Sequence, residues 1–328
     1  MAADRPSVRR AVPTVFLLFA APLIAEVLWG TTPVSAIGGL LIQIGLYGCG
    51  ALLIREFTQR WGGGLPTVLL LGVGYAIVEE ALVEPFWFTP HILDHPYGVA
   101  FGVFWTYAVW NIGYHALFSI AIPIVLTDLV FPAWRGRRLL HRTGTVVAGV
   151  VYALNAVVLG MLWYSTIQEQ MFHVPARVQP GRQLPAVLVI VAVIWLARQV
   201  APVRFWRADG RSLPRAAVAG LAAALGTGAL FGVLWMAASA DVLKPLPFLV
   251  PIAVALIAVA LIIRAVRQCA PPTDRQVLAA CTGALVVQVA AGFRFTGLTH
   301  PADIVGKAVL DLAALGLLLF LARRSPRR

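Results

Sequence analysis

Two adjacent glutamates, Glu79 and Glu80, lie inside an apolar run that extends from Leu65 to Glu84. The run has the length and composition of a membrane span, and a charged carboxylate at the centre of such a helix costs about 2.5–3.5 kcal/mol. Acids kept side by side at that cost are expected to be paired, protonated or used. Glu84 follows four residues after Glu80, so the two share a helix face, while Glu79 is expected to point about 100° away. Pro85 follows at once and ends the helix near Glu84. Two close carboxylates do not both ionise easily, so one of them is suited to act as an acid or a proton carrier.

The next apolar window supplies a partner. Tyr107, Asn111, His115 and Ser119 recur at intervals of four, which sets them as a polar stripe along one side of a helix. A stripe of this kind faces other helices or a water-filled cavity rather than lipid. His115 lies 35 residues after Glu80 on the following, antiparallel helix, at a similar depth. Three readings of Glu79, Glu80 and His115 stay open. They form a hydrogen-bonded network that joins helices. They form a metal-dependent hydrolytic site, in which Glu80 and His115 hold a divalent ion such as zinc or activate a water, with one carboxylate as general base. Or they form a transport site, where a carboxylate binds a cation or cycles a proton.

Other polar residues are assigned simpler roles. Glu26, near the end of the first span, is expected at the solvated interface, with a place in the cluster as the alternative. Asn155, one turn after Tyr152, is expected to make a helix–helix hydrogen bond, with the same alternative. Lys307 and Asp311 are spaced i,i+4 and read as a self-neutralising ion pair. Asp128 is expected to meet water or arginine side chains. The loop from Thr89 to Pro96 contains His91, Asp94 and His95 at metal-capable spacing, and His173 and His300 fall in other loops on the same side. No recognised zinc motif contains them.

These residues must be positioned by membrane helices. The chain has 328 residues, of which 60% are hydrophobic and 12% charged, and its mean hydropathy is +0.84. Soluble domains carry about 25% charged residues, so this chain has too little polar surface to cover itself in water. Apolar windows of about 20 residues fall at 11–30, 34–54, 65–88, 99–131, 143–164, 183–199, 215–239, 246–266, 275–293 and 302–322. The fold class is therefore all-α, a polytopic transmembrane bundle of about ten spans. The fourth window is too long for a simple crossing and is expected to begin as an interfacial or re-entrant piece, with Pro123 bending its end.

The net charge of +12 is carried mostly by arginines in alternate loops. Arg5, Arg9, Arg10, Arg55, Arg60, the group at 135–142, the group at 198–215, the group at 264–275 and the C-terminal group all fall on one side, which places both termini in the cytoplasm. That distribution also argues against nucleic-acid binding, since the basic residues are spread over short loops rather than gathered on one surface. Cys49, Cys269 and Cys281 form no disulfide or metal pattern. The chain contains no Gly-x-x-x-x-Gly-Lys, Gly-x-Ser-x-Gly or His-Glu-x-x-His motif, and ATP-driven pumping by this chain alone is not expected.

The Glu79–Glu80 pair, followed by His115 in a later span, resembles the CPBP family of intramembrane proteases, which includes CAAX proteases and bacteriocin-processing homologues. The family pattern is Glu-Glu-x-x-x-Arg, then Phe-x-x-x-His, then His-x-x-x-Asn/Asp. Here Glu79 and Glu80 match the first pair and His115 matches the second motif's histidine, while Glu84 stands at the Arg position, Asn111 at the Phe position and Val151 at the last His position before Asn155. The resemblance covers roughly residues 65–160 and implies a helical membrane peptidase whose second glutamate and histidines form the active site.

The resulting expectation is a single integral membrane domain over 1–328, with the polar site on helices within 11–164 and a second helical half over 183–322. Glu79, Glu80, His115 and Asn111 are the candidate catalytic residues, and Glu80 and His115 the candidate metal ligands. The expected surroundings are the lipid bilayer of the plasma membrane. The functional alternatives are a CPBP-like metal-dependent peptidase or its non-catalytic relative, a proton- or cation-coupled transporter, and a helper protein without chemistry.

Overall fold

A computed structural model describes residues 8–89, 96–175, 177–239, 247–295, 298 and 300–324. Apart from one two-stranded hairpin, the named elements among these residues are helical. Ten apolar helices follow the sequence windows closely. They are α1 (Ala11–Val27), α2 (Val34–Arg60), α3 (Leu65–Val83), α4 (Trp105–Val130), α5 (Arg142–Gln170) and α6 (Pro180–Val200). The second half comprises α7 (Ala216–Ser239), α8 (Leu249–Val266), α9 (Asp274–Phe295) and α10 (Pro301–Arg324). Nine are long and apolar enough to cross a membrane, and α1 is shorter. The protein is thus an all-α polytopic membrane bundle.

Burial separates interior helices from lipid-facing ones. In α3 and α4, 67% and 72% of the apolar stretch is buried, against 6% in α6. The outer helices expose large apolar side chains such as Leu188, Trp195, Leu256 and Leu261. That arrangement suits hydrocarbon, where exposed leucine carries no penalty. One apolar core joins α1 to α4 through Leu17, Leu46, Leu71 and Ile120. A second joins α1 and α4 to α9 and α10 through Ile24, Phe118, Leu285 and Leu318.

The long fourth window resolves into two parts. Strands β1 (Val99–Ala100) and β2 (Val103–Phe104) pair antiparallel, with Val99 opposite Phe104. Phe101 and Gly102 form the turn, both at positive φ, as a two-residue hairpin of this hand requires. Only then does α4 begin, so the crossing helix is 26 residues long rather than the 33 of the window.

Close approach of α3 and α4 depends on Gly72. A Cβ built there would lie 2.8 Å from Ala116 Cα. Small residues at such contacts let membrane helices approach closely. At the arginine-rich end the bundle is fastened by side chains of α2. Arg55 is 1% exposed and donates to Asp128 (2.8 Å) and to the carbonyls of Trp134 (2.8 Å) and Arg137 (2.9 Å). Glu56 accepts from the backbone amides of Leu139 (2.5 Å) and Leu140 (3.0 Å). The sequence reading had Arg55 in a loop. It lies inside α2 instead, more than one turn before the helix ends at Arg60, where it pairs with Asp128 and holds the 131–141 connection, and Asp128 meets an arginine as expected.

Candidate functional site

Four helices deliver the polar side chains, and each does so from a widened turn. Stretches with i→i+5 spacing interrupt α1 at Leu23–Val27, α2 at Ile44–Gly48, α3 at Val78–Val83 and α4 at His115–Ala121. In α1 and α3 these turns are marked by the bonds Leu28 N–H to Leu23 O (2.9 Å) and Glu84 N–H to Glu79 O (2.7 Å). Glu26, Tyr47, Glu79, Glu80 and His115 all sit in them. Such turns occur frequently at functional sites, because they re-aim side chains and loosen the backbone ladder locally.

The geometry gathers all four candidate residues. His115 Nε2 lies 3.2 Å from Glu80 Oε1, and His115 Nδ1 lies 3.0 Å from Glu79 Oε2 and 2.9 Å from Ser119 Oγ. Asn111 Nδ2 donates to Glu80 Oε1 at 2.8 Å. Glu79, Glu80, His115 and Asn111 are between 1% and 4% exposed. The widened turn at Val78–Val83 brings one carboxylate to each ring nitrogen of His115. Ligand atoms of Glu79, Glu80 and His115 lie within 4.8 Å of one another, and among the described residues no other His, Cys, Asp and Glu group does so.

Some donors for the centre are missing. Glu79 Oε2, Glu80 Oε2 and Asn111 Oδ1 are buried and lack a hydrogen-bond partner. The Glu79 Oε2 contact to His115 is close in distance but not aligned as a hydrogen bond, since that ring nitrogen is directed to Ser119. Buried acceptors rarely go unpaired, because each costs about 1–3 kcal/mol. Aromatic rings enclose the centre. The rings of Tyr47, Tyr75 and Tyr114 lie 6.2, 6.1 and 5.3 Å from the His115 ring.

Glu26 is linked to this centre, the alternative to a solvated interfacial place, while remaining partly exposed. Tyr47 Oη contacts Glu26 Oε1 at 2.6 Å and also hydrogen bonds to Glu79 Oε1. Thr31 and Thr32 hydroxyls donate to Glu26 Oε2 at 2.6 and 3.3 Å, and Gln43 donates to Thr32 Oγ1 at 2.7 Å. Tyr47 escaped the sequence reading although a signal existed: Gln43 and Tyr47 are spaced i,i+4 on an otherwise apolar stretch.

The remaining candidates lie elsewhere. Asn155 packs against Gly45 and donates to Ile42 O at 2.9 Å, the expected helix–helix bond, and does not reach the centre. Lys307 pairs with Asp311 at 2.8 Å, as expected, and also donates to Leu28 O at 2.6 Å. Glu84 is partly exposed at the end of α3. His91, Asp94 and His95 lie outside the described residues, while His173 and His300 are exposed.

No curated protein and no solved structure matches this chain. A family model described as an uncharacterized membrane protein family matches residues 15–324. That match carries the membrane assignment but not the CPBP resemblance. With nearly the whole bundle aligned, including every helix that builds the centre, the chain belongs to this uncharacterized membrane protein family.

Proposed function

We propose that the protein is an intramembrane hydrolase of CPBP-like type, in which Glu79, Glu80 and His115 hold a divalent cation. One observation carries this reading: Glu79, Glu80 and His115 bring ligand atoms within 4.8 Å of one another in a buried centre, where Glu79 Oε2, Glu80 Oε2 and Asn111 Oδ1 have no aligned hydrogen-bond partner. A cation supplies the positive partner that they lack. The donor set of two carboxylates and one imidazole suits zinc, whose catalytic sites use three protein ligands and leave a position for water. When bound, such an ion polarises a carbonyl and favours ionisation of water near neutral pH.

The chain's own groups account for the remaining chemistry. Asn111 Nδ2 fixes Glu80 Oε1 at 2.8 Å, which orients that carboxylate to take a proton from a water and return it to a leaving group. Ser119 Oγ at 2.9 Å orients the His115 ring, as outer partners of ligating histidines generally do. The tyrosine rings keep the centre dry, so charges interact there more strongly than in water. A cavity of about 290 Å³ lies beside Tyr75 between α2, α3 and α6, lined by apolar residues such as Leu53, Ile54 and Ile194. It would suit the apolar flank of a membrane-embedded substrate.

The test compares wild type with Glu80→Gln and His115→Ala. Metal content of the purified protein and processing of membrane-anchored peptides are read together. Joint loss of bound metal and processing in both variants supports the hydrolase. Loss of proton-coupled uptake with no change in metal would favour a carrier. Unchanged metal, processing and uptake, with only reduced thermal stability, would sink both and leave a structural network.

A further inference from the structure

A two-residue hairpin turn with positive φ at both positions normally takes Asn, Asp or Gly first. This chain puts Phe101 there, at φ 52°, and the side chain is 94% exposed, so it gains almost no contact within the fold. Val99 and Trp105 beside it are also exposed, and Trp105 Nε1 donates to Ala100 O at 3.1 Å, which ties the hairpin to the start of α4. The hairpin forms one wall of a cavity of about 680 Å³ between the end of α3 and the start of α6, lined by Thr89, Val99, Gly102, Arg177, Gln179 and Arg182. That volume falls in the range of about 300–1,000 Å³ usual for small-ligand sites. The Arg182 guanidinium is fixed in the wall. It lies against Gly102, where any Cβ would overlap it, and it donates to Gln179 Oε1, while Gln179 Nε2 donates to Phe88 O at 3.3 Å. Arg177 is exposed. Among the described residues neither guanidinium is paired with a carboxylate. Two guanidiniums that line one cavity without a counter-ion suit an anion, and phosphate above all, because the planar fork matches its oxygens.

The level of the cavity identifies the source of that phosphate. It lies just past the short helical turn Phe86–Phe88 that follows α3, and just before α6 begins at Pro180. Helix ends of this kind sit where a bilayer changes from acyl chains to headgroups. Aromatic rings settle in that boundary, while arginines extend from it to the charged layer. We propose that the cavity binds the phosphate of an anionic phospholipid, with Phe101 and Trp105 seated in the boundary beside it. Arg182 gives the phosphate the N–H groups that Gln179 does not hold, and Arg177 supplies a second cation. A zwitterionic lipid brings a cation of its own, which the two arginines repel. Bound in this way, the lipid joins the end of α3, the hairpin that leads into α4 and the start of α6. No residue of the Glu79/Glu80/His115 centre takes part, so the lipid site and the hydrolase reading fail separately.

The experiment is native mass spectrometry of the full chain in detergent, titrated separately with phosphatidylglycerol, phosphatidylcholine and inorganic phosphate. A single phosphatidylglycerol is expected to bind in preference to the other two. Arg182→Gln and Arg177→Gln should each weaken that binding by about tenfold, as loss of a charge-assisted hydrogen bond does. Arg182→Lys keeps the charge but not the fork, and should recover only part of the loss. Phe101→Ser should also weaken phosphatidylglycerol binding. Arg204→Gln removes an exposed arginine from the α6–α7 connection at the other end of the bundle, and should bind like wild type. Thermal unfolding without lipid identifies which variants are folded, and the exposed Arg177 can be replaced without disturbing packing. Wild-type affinity for phosphatidylglycerol in folded Arg177→Gln or folded Arg182→Gln would overturn the site, as would equal binding of phosphatidylcholine. Inorganic phosphate that binds as tightly as phosphatidylglycerol would overturn the lipid assignment and leave a site for the free anion.

Discussion

At the scale of single residues, the centre is defined by how completely its charges are enclosed. Glu79 and Glu80 flank one imidazole, and each carboxylate has one oxygen hydrogen-bonded and one oxygen unpaired. Asn111 is the informative residue. Its amide nitrogen holds Glu80, while its amide oxygen is itself an orphan acceptor facing the same site. Asn111→Ala removes an outer partner without removing a charge. Loss of such partners costs about 10–100-fold in metal affinity or activity. Zinc titration of the purified protein should show a weakening of that order, with one site retained. An unchanged affinity would mean that Glu80 is oriented by the helix alone. Tyr47 and Glu26 extend the hydrogen-bonded network of the centre toward the partly exposed end of α1.

At the scale of elements, the centre depends on two features of α3 and α4. The first is the pair of widened turns at Val78–Val83 and His115–Ala121, which aim both carboxylates at one ring. The second is the close contact at Gly72, almost two helical turns from Glu79 toward the arginine-rich side. A methyl group there would meet the backbone of Ala116, next to His115, at 2.8 Å. Backbone cannot yield as a flexible side chain can, so Gly72→Ala should separate the two helices. Overpacking of this kind costs about 1–3 kcal/mol. Unfolding in mild detergent should show that loss, accompanied by weaker metal binding even though no donor has changed. Gly149 on α5 has open space at its Cβ and is the matched control, with little change expected in either measurement.

At the scale of the whole molecule, the described residues include nine helices long and apolar enough to cross a membrane and the shorter α1, and the arginine-rich loops of the sequence predict which side of the bundle faces the cytoplasm. Cys269 offers a direct check. It is partly exposed beside the α8–α9 connection among Arg264, Arg267 and Arg275, whereas Cys49 and Cys281 are buried at 6% and 9%. A membrane-impermeant maleimide should therefore label Cys269 alone, in inverted vesicles and not in intact cells. Labelling from outside would reverse the orientation. The core distribution fits the same picture. The centre lies among α1–α4, and the remaining helices mainly enclose these and face lipid.

The sequence by itself determined the spans, because a stretch of about 20 apolar residues has no other low-energy place than a membrane. It also singled out Glu79, Glu80, Asn111 and His115, because polar groups are costly in an apolar run and stand out against it. The i,i+4 pairs, Lys307 with Asp311 among them, were legible for the same reason, since helical spacing alone sets who can touch. What only the tertiary structure decided was how helices distant in sequence meet. Glu26 and Tyr47 joined the centre, Asn155 did not, and Arg55 turned inward to Asp128. Helical periodicity also left open which groups His115 would meet, and only the packing of α3 against α4 sets Glu79 and Glu80 on its two ring nitrogens, because contacts between helices are not fixed by spacing along one helix.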